Sequence, residues 1–369
     1  MITMNARHIK LEGDNYTIGK KLGAMVQAVP ELANSHIIPV PVFSKGNEEK
    51  VLKLFDRFCP GINEEITGFS DILKVPAEQI LYYALSYMEP GCSQMVLLPT
   101  KADNGHTLIA RNYDFSEKMD DMMLCTTKIS GRYAHIASSS VLFGRSDGMN
   151  ECGLAVTMTS AGLPVSNMEG APRRPAVEGL VYWAVIRSVL ENCANVEDAI
   201  NYVKEMPIAF NLNLLVADKS NRAALMETYD GRFAVKCIDE FTPEQLLYST
   251  NHVCLPELSH FEEHKLKHSL VRYERIGEML SKDKISQEDI KNFLSTKYPQ
   301  GLMFNYYDEM LGTLRSVIYD TNSGEVKLCF GSPDINEWRS YRIDTDISQR
   351  IIPVLLQKET AGNILFEMV

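Results

Sequence analysis

The chain has 369 residues, of which 45% are hydrophobic and 23% are charged, and this composition predicts a folded globular protein rather than a disordered or fibrous one. Its formal net charge of −11 argues against a nucleic-acid partner. The first ten residues lack the apolar core of a signal peptide, and the most apolar stretch, at 180–190, is too short for a membrane span, so we expect a cytoplasmic protein.

Helical spacing of apolar residues dominates the first 90 residues. Four segments separated by proline and glycine predict helices, namely YTIGKKLGAMVQAV, EEKVLKLFDRF, EEITGFSDIL and AEQILYYALSYM. Each has an apolar face that must be buried against another part of the chain. We therefore predict a mainly helical N-terminal segment that packs on the rest of the protein.

From residue 92 onward the spacing changes to that of strands. Five short runs, CSQMVLLPT, HTLIARNYDF, MLCTTKIS, YAHIASSSVLF and CGLAVTMTS, are separated by turn signals such as DNG, SGR and SDG. Connections this short join antiparallel neighbours. The sequence therefore predicts an antiparallel sheet that begins at Cys92.

Helices and strands then follow one another in groups. Two helices are predicted at AVEGLVYWAVIRSVLENC and VEDAINYVKEM, followed by the strands NLNLLVADK, AALMETY and RFAVKCI. A long amphipathic helix comes next at about 257–281, then a shorter helix near 286–294 and the strands TLRSVIYD and EVKLCFG. Because this order lacks a strand–helix–strand rhythm, it predicts an α+β layered fold.

One motif is compatible with a serine hydrolase. GRSDG at 144–148 has the spacing of a nucleophile elbow, with Ser146 at its centre. An elbow needs a strand, a sharp turn and a helix, whereas the residues that follow are predicted to form another strand. We therefore interpret SDG as a hairpin turn and keep catalysis by Ser146 as the weaker alternative.

The histidines and cysteines give no clear metal signal. His260, His264 and His268 follow i, i+4 spacing and would share one face of the long helix, which is otherwise charged and is interpreted as solvated. The eight cysteines include no CxxC pair. No nucleotide-binding fingerprint occurs, so we expect neither a metal nor a cofactor.

Cys92 lies at the start of a predicted strand, directly after a proline and a glycine. A buried structural thiol is the ordinary interpretation of such a cysteine. However, Gly91 leaves the preceding carbonyl open to attack, and the neighbouring strand carries Arg111 and Asp114. Residues three apart point to opposite faces of a regular strand, so we expect Asp114 to turn toward Arg111 at the strand end.

Several segments together resemble one family. They are LEGDNYTIGKKLG, GCS at 91–93, ARNYDF, DGMNECGLAV, LLVADKSNRAALMET, STNH at 249–252, SLVRYERI and TLRSVIYD. They occur in the order typical of N-terminal-nucleophile hydrolases of the choloylglycine hydrolase and penicillin acylase group. The chain is most similar to the long-propeptide branch typified by isopenicillin N acyltransferase, the acyl-CoA:6-aminopenicillanic acid acyltransferase.

The resemblance implies a processed enzyme with a four-layer αββα sandwich, in which two antiparallel sheets lie between helical layers. By position, the cut falls between Gly91 and Cys92. Residues 1–91 would then be a helical propeptide or small subunit that stays bound, and residues 92–369 the catalytic large subunit. The activity implied is that of a cysteine amidohydrolase or acyltransferase acting on a linear acyl amide, with acyl-CoA or an amine acceptor as further small-molecule partners.

The resemblance also assigns roles around the nucleophile. Cys92 would attack the substrate, with its own α-amine as general base, and Arg111 and Asp114 would orient the amine and thiol. An α-amine ordinarily has a pKa of about 7.7 to 8, which suits a general base near neutral pH.

Three further roles follow from the resemblance. Asn251 would donate to the oxyanion, Ser160 would supply the second donor through its backbone N–H, and Arg272 matches the late arginine of the family. Ordinary structural interpretations also exist: Asn251 as a turn residue, Arg272 as part of a surface ion pair and, from the previous group, Asp114 as a strand-end cap. An uncleaved precursor, or a non-enzymatic protein on the same fold, is the alternative function.

Overall fold

Two β-sheets packed face to face form the centre of the protein, and helices cover both outer faces. The computed structural model describes residues 1–29, 32–33, 36–37, 45–80, 91–163, 165, 173–345, 350–362 and 367–369. Apolar side chains from the two facing sheets and from the helices on the larger sheet form one core cluster. A second cluster lies between the smaller sheet and its helices. The architecture is therefore α+β, with four αββα layers.

The larger sheet has nine strands, and all neighbours are antiparallel except one parallel pair. In spatial order, the strands are β10 (Arg232–Ile238), β9 (Ala223–Tyr229), β8 (Leu212–Ala217), β7 (Ala155–Ser160), β6 (Gly144–Asn150), β5 (His135–Ser140), β4 (Met123–Ile129), β1 (Ile2–Gly13) and β16 (Arg350–Leu356). The parallel pair is β1 and β4. The first and last strands of the chain are thus neighbours.

The smaller sheet has seven strands and contains Cys92. Its order is β11 (Leu246–Ser249), β2 (Gly91–Leu97), β3 (Leu108–Phe115), β13 (Leu311–Asp320), β14 (Glu325–Phe330) and β15 (Arg339–Tyr341), with β12 (Asn305–Tyr306) paired to β13. The pairing of β13 with β3 shifts register between Thr313 and Arg315. This irregularity lies opposite Asp114, next to the start of β2.

Eight α-helices lie in the described part of the chain. They are α1 (Asn15–Ala28), α2 (Lys45–Phe58), α3 (Ile62–Leu73), α4 (Tyr182–Asn192), α5 (Val196–Lys204), α6 (Pro256–Ser259), α7 (Lys267–Leu280) and α8 (Gln287–Ser295). Short 3₁₀ turns occur at Ala77–Gln79 and Tyr307–Glu309. Among these helices, none is long and apolar enough to cross a membrane.

Glycines bring the first and third helices unusually close together. A Cβ atom at Gly19 of α1 would lie 1.8 Å from the backbone oxygen of Glu65, and one at Gly68 of α3 would lie 2.2 Å from that of Tyr16. No side chain fits at such distances, so the two helices pack backbone to backbone. The side chain of Asp14 caps α1 by accepting a hydrogen bond from the Thr17 N–H at 2.7 Å.

The N-terminal segment, predicted to be mainly helical, also contains a long strand that was not predicted. Three of its predicted helices form, but residues 2–13 are strand β1, whose first four side chains are alternately half-buried and exposed. Of the fourth predicted helix, Ala77–Gln79 is a 3₁₀ turn and residues 81–90 lie outside the described residues. The N-terminal segment therefore contributes a strand to the larger sheet and also packs helices on it.

Two further predictions were wrong. SDG at 146–148 is not a hairpin turn but part of β6, a strand buried along its whole length. The long helix predicted at 257–281 is two helices, α6 and α7, because residues 260–266 leave the helical path. Strands β11, β12, β15 and β16 were also not predicted; β12 and β15 have two and three residues.

Candidate active site

Cys92 is the second residue of β2, and its side chain points between the two sheets. The residue is fully buried. Its Sγ accepts a hydrogen bond from Nη2 of Arg111 at 3.0 Å, and the same nitrogen lies 3.1 Å from Sδ of Met158. Burial raises the pKa of the Cys92 thiol, and the Arg111 charge opposes that rise. The guanidinium thus favours a thiolate at a position where burial disfavours one.

Arg111 is held from its other side by an acidic residue of the opposite sheet. Its Nη1 donates to Oδ2 of Asp147 at 2.8 Å and to the backbone oxygen of Ser146 at 2.5 Å. Tyr319 donates to the second oxygen of Asp147 at 2.6 Å. Burial acts to raise the pKa of Asp147, but Arg111 and Arg315 outweigh it and hold that pKa below its ordinary value. The carboxylate is therefore charged and fixes Arg111 in place.

Arg315 on β13 is a second buried arginine of this site and lies on the side away from the cysteine. Its Nη1 donates to both carboxylate oxygens of Asp120, at 2.9 and 3.0 Å, and its Nη2 donates to Oγ of Ser146 at 2.6 Å. Its guanidinium lies 3.8 Å from the ring centroid of Tyr113. Each arginine thus has a carboxylate partner, which is the condition for keeping charges in a buried site.

The backbone of Cys92 is held by two other predicted residues. Its N–H donates to Oδ1 of Asn251 at 2.9 Å, and its carbonyl oxygen accepts from Nη1 of Arg272 at 2.6 Å. Arg272 also donates to Oγ of Ser93 and to Oδ1 of Asn251, at 2.8 and 2.7 Å. Nδ2 of Asn251 donates to Oγ of Ser160 at 2.9 Å. These contacts fix both the nitrogen and the carbonyl of the cysteine.

Asp114 lies on the other face of the smaller sheet from Arg111. Asn112, which has the same parity along β3, contacts the backbone of α8, whereas Arg111 contacts the larger sheet. Oδ1 of Asp114 accepts from Thr313 at 2.6 Å, and its Oδ2 has no hydrogen-bond partner among the described residues. Burial raises the pKa of Asp114 to about 7, although Arg272, Thr313 and Arg111 lower it. The expectation that Asp114 turns toward Arg111 is wrong, because the regular pleat continues to the end of β3.

All six predicted site residues are nevertheless brought to one place. Cys92 contacts Arg111, Asn251 and Arg272 directly, Ser160 contacts Asn251, and the Asp114 carboxylate acts electrostatically on the cysteine and on Arg272. The sequence analysis missed Asp147, Arg315, Asp120 and Thr313. A signal existed for two of them, since Asp147 and Arg315 lie in segments, DGMNECGLAV and TLRSVIYD, that carried the resemblance.

Ser146 does not occupy a nucleophile elbow. It lies within β6 and is fully buried. Its hydroxyl accepts from Arg315 at 2.6 Å and donates to Asp147 at 3.0 Å. The turn into a helix that the motif requires is absent after this strand, since β6 leads to β7. Ser146 thus links ion pairs around Arg111 and Arg315.

The three spaced histidines do not share a helix face. His260 follows α6, His264 lies in the connection, and His268 lies in α7, where its Nδ1 is 2.9 Å from Nη2 of Arg272. Burial and then Arg272 hold the pKa of His268 well below its ordinary value. Within the described ranges, no group of three or more His, Cys, Asp or Glu side chains is placed to hold a metal ion.

All eight cysteines are unpaired thiols, and five of them are buried. Cys92 is distinguished by the hydrogen bond that its sulfur accepts from an arginine. Among the other buried thiols, burial raises the pKa of Cys59 and Cys329 to about 12 and that of Cys125 to about 11. The three described cavities, of about 410, 300 and 140 Å³, are lined by none of the six site residues. Cys92 itself has no exposed surface in the described structure.

Comparison with known proteins gives one family match. The family model of acyl-coenzyme A:6-aminopenicillanic acid acyl-transferase matches residues 100–335, so it includes Arg111 and Arg272 but begins after Cys92. An uncharacterised protein of Archaeoglobus fulgidus is 24% identical over 361 residues, covering 81% of this chain and 59% of the relative. The chain thus spans about three fifths of the length of that curated relative.

Solved structures with low sequence identity are also similar. Penicillin V acylase from Agrobacterium tumefaciens is 19% identical, with 65% of this chain and 83% of that chain covered and a TM-score of 0.42. A conjugated bile acid hydrolase from Clostridium perfringens is 14% identical, with 74% and 99% covered and a TM-score of 0.46. The Caenorhabditis elegans ortholog of N-acylethanolamine-hydrolyzing acid amidase is 14% identical, with 63% and 93% covered and a TM-score of 0.42.

Proposed function

Because the chain belongs to the acyl-coenzyme A:6-aminopenicillanic acid acyl-transferase family, we propose that it is a cysteine amidohydrolase or acyltransferase that cuts itself between Gly91 and Cys92. The cut would divide it into an N-terminal segment, 1–91, and a catalytic segment, 92–369. The mature enzyme would act on a linear acyl amide through an acyl-enzyme on Cys92.

The observation that carries this proposal is the arginine contact of the sulfur. Nη2 of Arg111 donates to Cys92 Sγ at 3.0 Å in a fully buried environment. A thiolate is the nucleophilic form of cysteine, and a neighbouring cation stabilises it. Asn251 and Arg272 also hold both polar atoms of the Cys92 backbone. A purely structural thiol would need none of these contacts.

Self-cleavage follows from the position of the thiol beside its own peptide bond. The Cys92 sulfur attacks the carbonyl carbon of Gly91, and the carbon–nitrogen bond breaks as the nitrogen takes up the thiol proton. Water then hydrolyses the thioester, leaving a carboxylate on Gly91 and a free thiol and α-amine on Cys92. A side chain at position 91 would crowd a neighbouring strand, because a Cβ atom there would lie 2.2 Å from Cδ1 of Leu311.

In the mature enzyme, the new α-amine takes the thiol proton as general base. The sulfur attacks the substrate carbonyl, the amine leaving group departs with a proton, and water or a second amine takes the acyl group. Asn251 directs its Oδ1 at the Cys92 nitrogen, so it is placed to orient the α-amine. Donation to the oxyanion would come from its Nδ2, which bonds Ser160 in the intact chain.

Asp114 lies beside this site with one oxygen free of partners among the described residues. Its carboxylate would favour a protonated α-amine and thereby tune the base, while Thr313 holds it by a hydrogen bond and the charge of Arg272 acts on it electrostatically. The substrates proposed are small acyl amides, with acyl-CoA as acyl donor or an amine as acceptor, since the family name describes acyl transfer to the amine of 6-aminopenicillanic acid. No cofactor is required by this chemistry.

Intact mass and N-terminal sequencing of the purified protein test the proposal. Two fragments, the larger beginning CSQMV, would support a free N-terminal cysteine, and a panel of acyl amides with and without amine acceptors would then separate hydrolysis from transfer. Cys92→Ala should remain a single chain without activity. A Cys92→Ala protein that still turned over amides would refute the mechanism, and an uncut, inactive wild-type chain would favour the precursor or non-enzymatic alternative.

A further inference from the structure

Three polar side chains lie side by side across the larger sheet. Thr159 of β7 pairs in register with Asn213 of β8, and Asn213 pairs in register with Glu227 of β9. Residues directly opposite one another on antiparallel strands share one face of the sheet. All three are fully buried, and we call them the polar row. Polar groups at this depth need partners, and the polar row finds them in one segment, residues 250–255.

Asn213 binds the carbonyl groups on both sides of Asn251. Its Nδ2 donates to the backbone oxygens of Thr250 and His252, each at 2.9 Å. The hydroxyl of Thr159 also donates to the Thr250 oxygen, at 2.6 Å. Because one amide nitrogen holds the residue before Asn251 and the residue after it, the backbone of Asn251 cannot move without loss of at least one of these hydrogen bonds.

Two buried carboxylates bind the N–H groups that follow in the chain. Glu227 accepts from Cys254 and Leu255, at 2.8 and 2.9 Å, and Glu262 accepts from Val253 at 2.8 Å. Strand β11 ends at residue 249, so the segment lies beyond the smaller sheet. Side chains of the larger sheet therefore hold this segment where a neighbouring strand would otherwise do so.

The segment carries Asn251 to the candidate nucleophile. Oδ1 of Asn251 accepts from the Cys92 N–H at 2.9 Å and from Nη2 of Arg272 at 2.7 Å. These bonds form only if the backbone of Asn251 stands at a fixed distance from β2. The polar row sets that distance from the opposite sheet, through Asn213.

The other end of the Asn213 side chain indicates that this residue is retained for its donor. Its Oδ1 has no hydrogen-bond partner among the described residues, and the side chain has no exposed surface. A buried amide oxygen without a partner destabilises a fold and requires an explanation. An apolar residue would avoid this destabilisation but could not bind the two carbonyl groups beside Asn251.

We propose that Asn213 and Glu227 are positioning residues for Asn251. The inference rests on the proposed role of Asn251 beside the α-amine and the oxyanion. Both residues act through the backbone of residues 250–255, since their side chains bind this segment and Cys92 is bound by Asn251. They keep Oδ1 of Asn251 against the Cys92 nitrogen and its Nδ2 within reach of the reacting carbonyl.

The first test measures the hydrogen bond at position 92 in a chain that cannot cut itself. The Cys92→Ala protein keeps an N–H at this position, and labelling with nitrogen-15 alanine identifies its NMR signal as the one absent from an equally labelled Cys92→Ser protein. In this background, Asn213→Val removes the donor with a residue suited to a strand. It should speed hydrogen exchange at position 92 on the order of tenfold. Glu227→Gln, which keeps one acceptor, should have a smaller effect of the same sign.

Asn150 provides the matched control. Its buried amide also donates to two backbone oxygens, those of Leu190 and Cys193, at 3.0 and 2.7 Å, but at the end of α4. Asn150→Val removes these bonds and should leave exchange at position 92 within about twofold of its starting rate. General loosening of the larger sheet would instead raise exchange in both valine variants.

A double-mutant cycle shows whether Asn213 acts through Asn251. Asn251→Val in the same background removes the acceptor and should itself speed exchange at position 92. Asn213→Val added to it should then change the rate by less than about twofold. An undiminished effect in that background, an unchanged rate in a folded Asn213→Val protein, or an equal rise in Asn150→Val would overturn the proposal. If Asn213→Val does not fold, Glu227→Gln takes its place in the cycle, and an unchanged rate there refutes the proposal.

Failure of the proposed function would look different. A wild-type chain that is neither cut at Gly91 nor active on amides would count against Cys92 as nucleophile, whereas exchange at position 92 would still report on the polar row. In a chain that cuts itself, Asn213→Val should slow the cut on the order of tenfold or more, because small displacements of a catalytic group are costly. Asn150→Val should not slow it. A folded Asn213→Val chain that cuts at the wild-type rate would refute the positioning role.

Discussion

The two faces of the smaller sheet treat equally buried charges in opposite ways. Between the sheets, burial is outweighed by partner charges, so the pKa of Arg111 is raised and that of Asp147 is lowered. On the helix side, burial prevails, so the pKa of Asp114 rises to about 7 and that of Arg272 falls. All four residues are fully buried. The number of opposite charges in contact, rather than depth, decides the direction in which the pKa of a buried group moves.

This contrast suggests that the two faces of the smaller sheet act on different atoms of Cys92. The inter-sheet face holds fixed charges against the sulfur, where a thiolate must be stabilised. The helix face holds Asp114, whose pKa is about 7, near the backbone of Cys92, where a new α-amine would need to gain and lose a proton. Substitutions on the two faces should therefore have different signatures.

The largest effect is expected for Arg111→Gln. It leaves Asp147 with Arg315, at 3.8 Å, as its one remaining cationic partner among the described residues, and it removes the donor to Cys92. Loss of one partner from a buried pair costs about 3 to 5 kcal/mol of unfolding free energy, and self-cleavage should fail in any protein that folds. Chemical denaturation and intact mass measure the two effects. A stable, self-cleaving Arg111→Gln protein would show that the charges on the inter-sheet face are not needed to stabilise the Cys92 thiolate.

Arg272→Gln on the helix face should cost less. Its neutral replacement can keep one donor toward Cys92 or Asn251, and burial already disfavours the arginine charge. We expect a loss of about 2 kcal/mol, the scale of one or two unsatisfied buried groups, together with slower cleavage. Matched denaturation of the two arginine variants checks the order, and a greater loss for Arg272→Gln would reverse the comparison.

Asp114→Asn should change how stability depends on pH. The folded pKa of about 7 exceeds the ordinary value of 3.8, so the unfolded chain loses its proton first as pH rises. Unfolding free energy therefore falls between about pH 4 and pH 7 in the wild type. The variant should lack this fall and melt a few degrees higher at neutral pH. Parallel slopes for the two proteins between these limits would show that Asp114 is ionised like an exposed carboxylate.

The smallest effect is expected for the ion pair of His36 and Asp121. The pKa of His36 is raised, so its contribution to stability is complete below about pH 6.5 and is lost as pH rises through the folded pKa. The pKa of Asp121 is lowered, so its contribution is lost on the acid side. Asp121 keeps its donors Ser139 and the Leu142 N–H when His36 is replaced by Gln, so we expect the advantage of the wild type to be on the order of 1 kcal/mol, greatest near pH 5 to 6 and smaller above it. Melting curves across this range provide the measurement.

Local patterns predicted most of the fold. Alternation and turn signals located β2, β3, β8, β9 and β10, and apolar spacing located α4 and α5. The failures have physical causes: β6 contains Arg145, Ser146 and Asp147, which resemble a turn until their partners between the sheets are known. Within the break between α6 and α7, Glu262 accepts from the Val253 N–H at 2.8 Å, a contact that is not visible in helical spacing.

The candidate site could be predicted only in part for the same reason. Family-like segments identified Cys92 and five neighbours, but nothing local indicates that Asp147 and Arg315 share Ser146, since Arg315 lies 169 positions from that serine. Strand parity correctly places Arg111 and Asp114 on opposite faces, and the predicted exception at the strand end was wrong. Long-range pairing of buried charges is a property of the folded topology.

The place of β1 in the larger sheet has a kinetic consequence. β1 pairs with β4 on one side and with β16 on the other, so the edge strand β16 is attached to the sheet through β1. If residues 1–91 were cut free, they would still contribute an interior strand, and both rows of hydrogen bonds would have to open before the fragment could leave. We therefore expect the cut halves to exchange no faster than the whole protein unfolds, and dilution alone should not separate them.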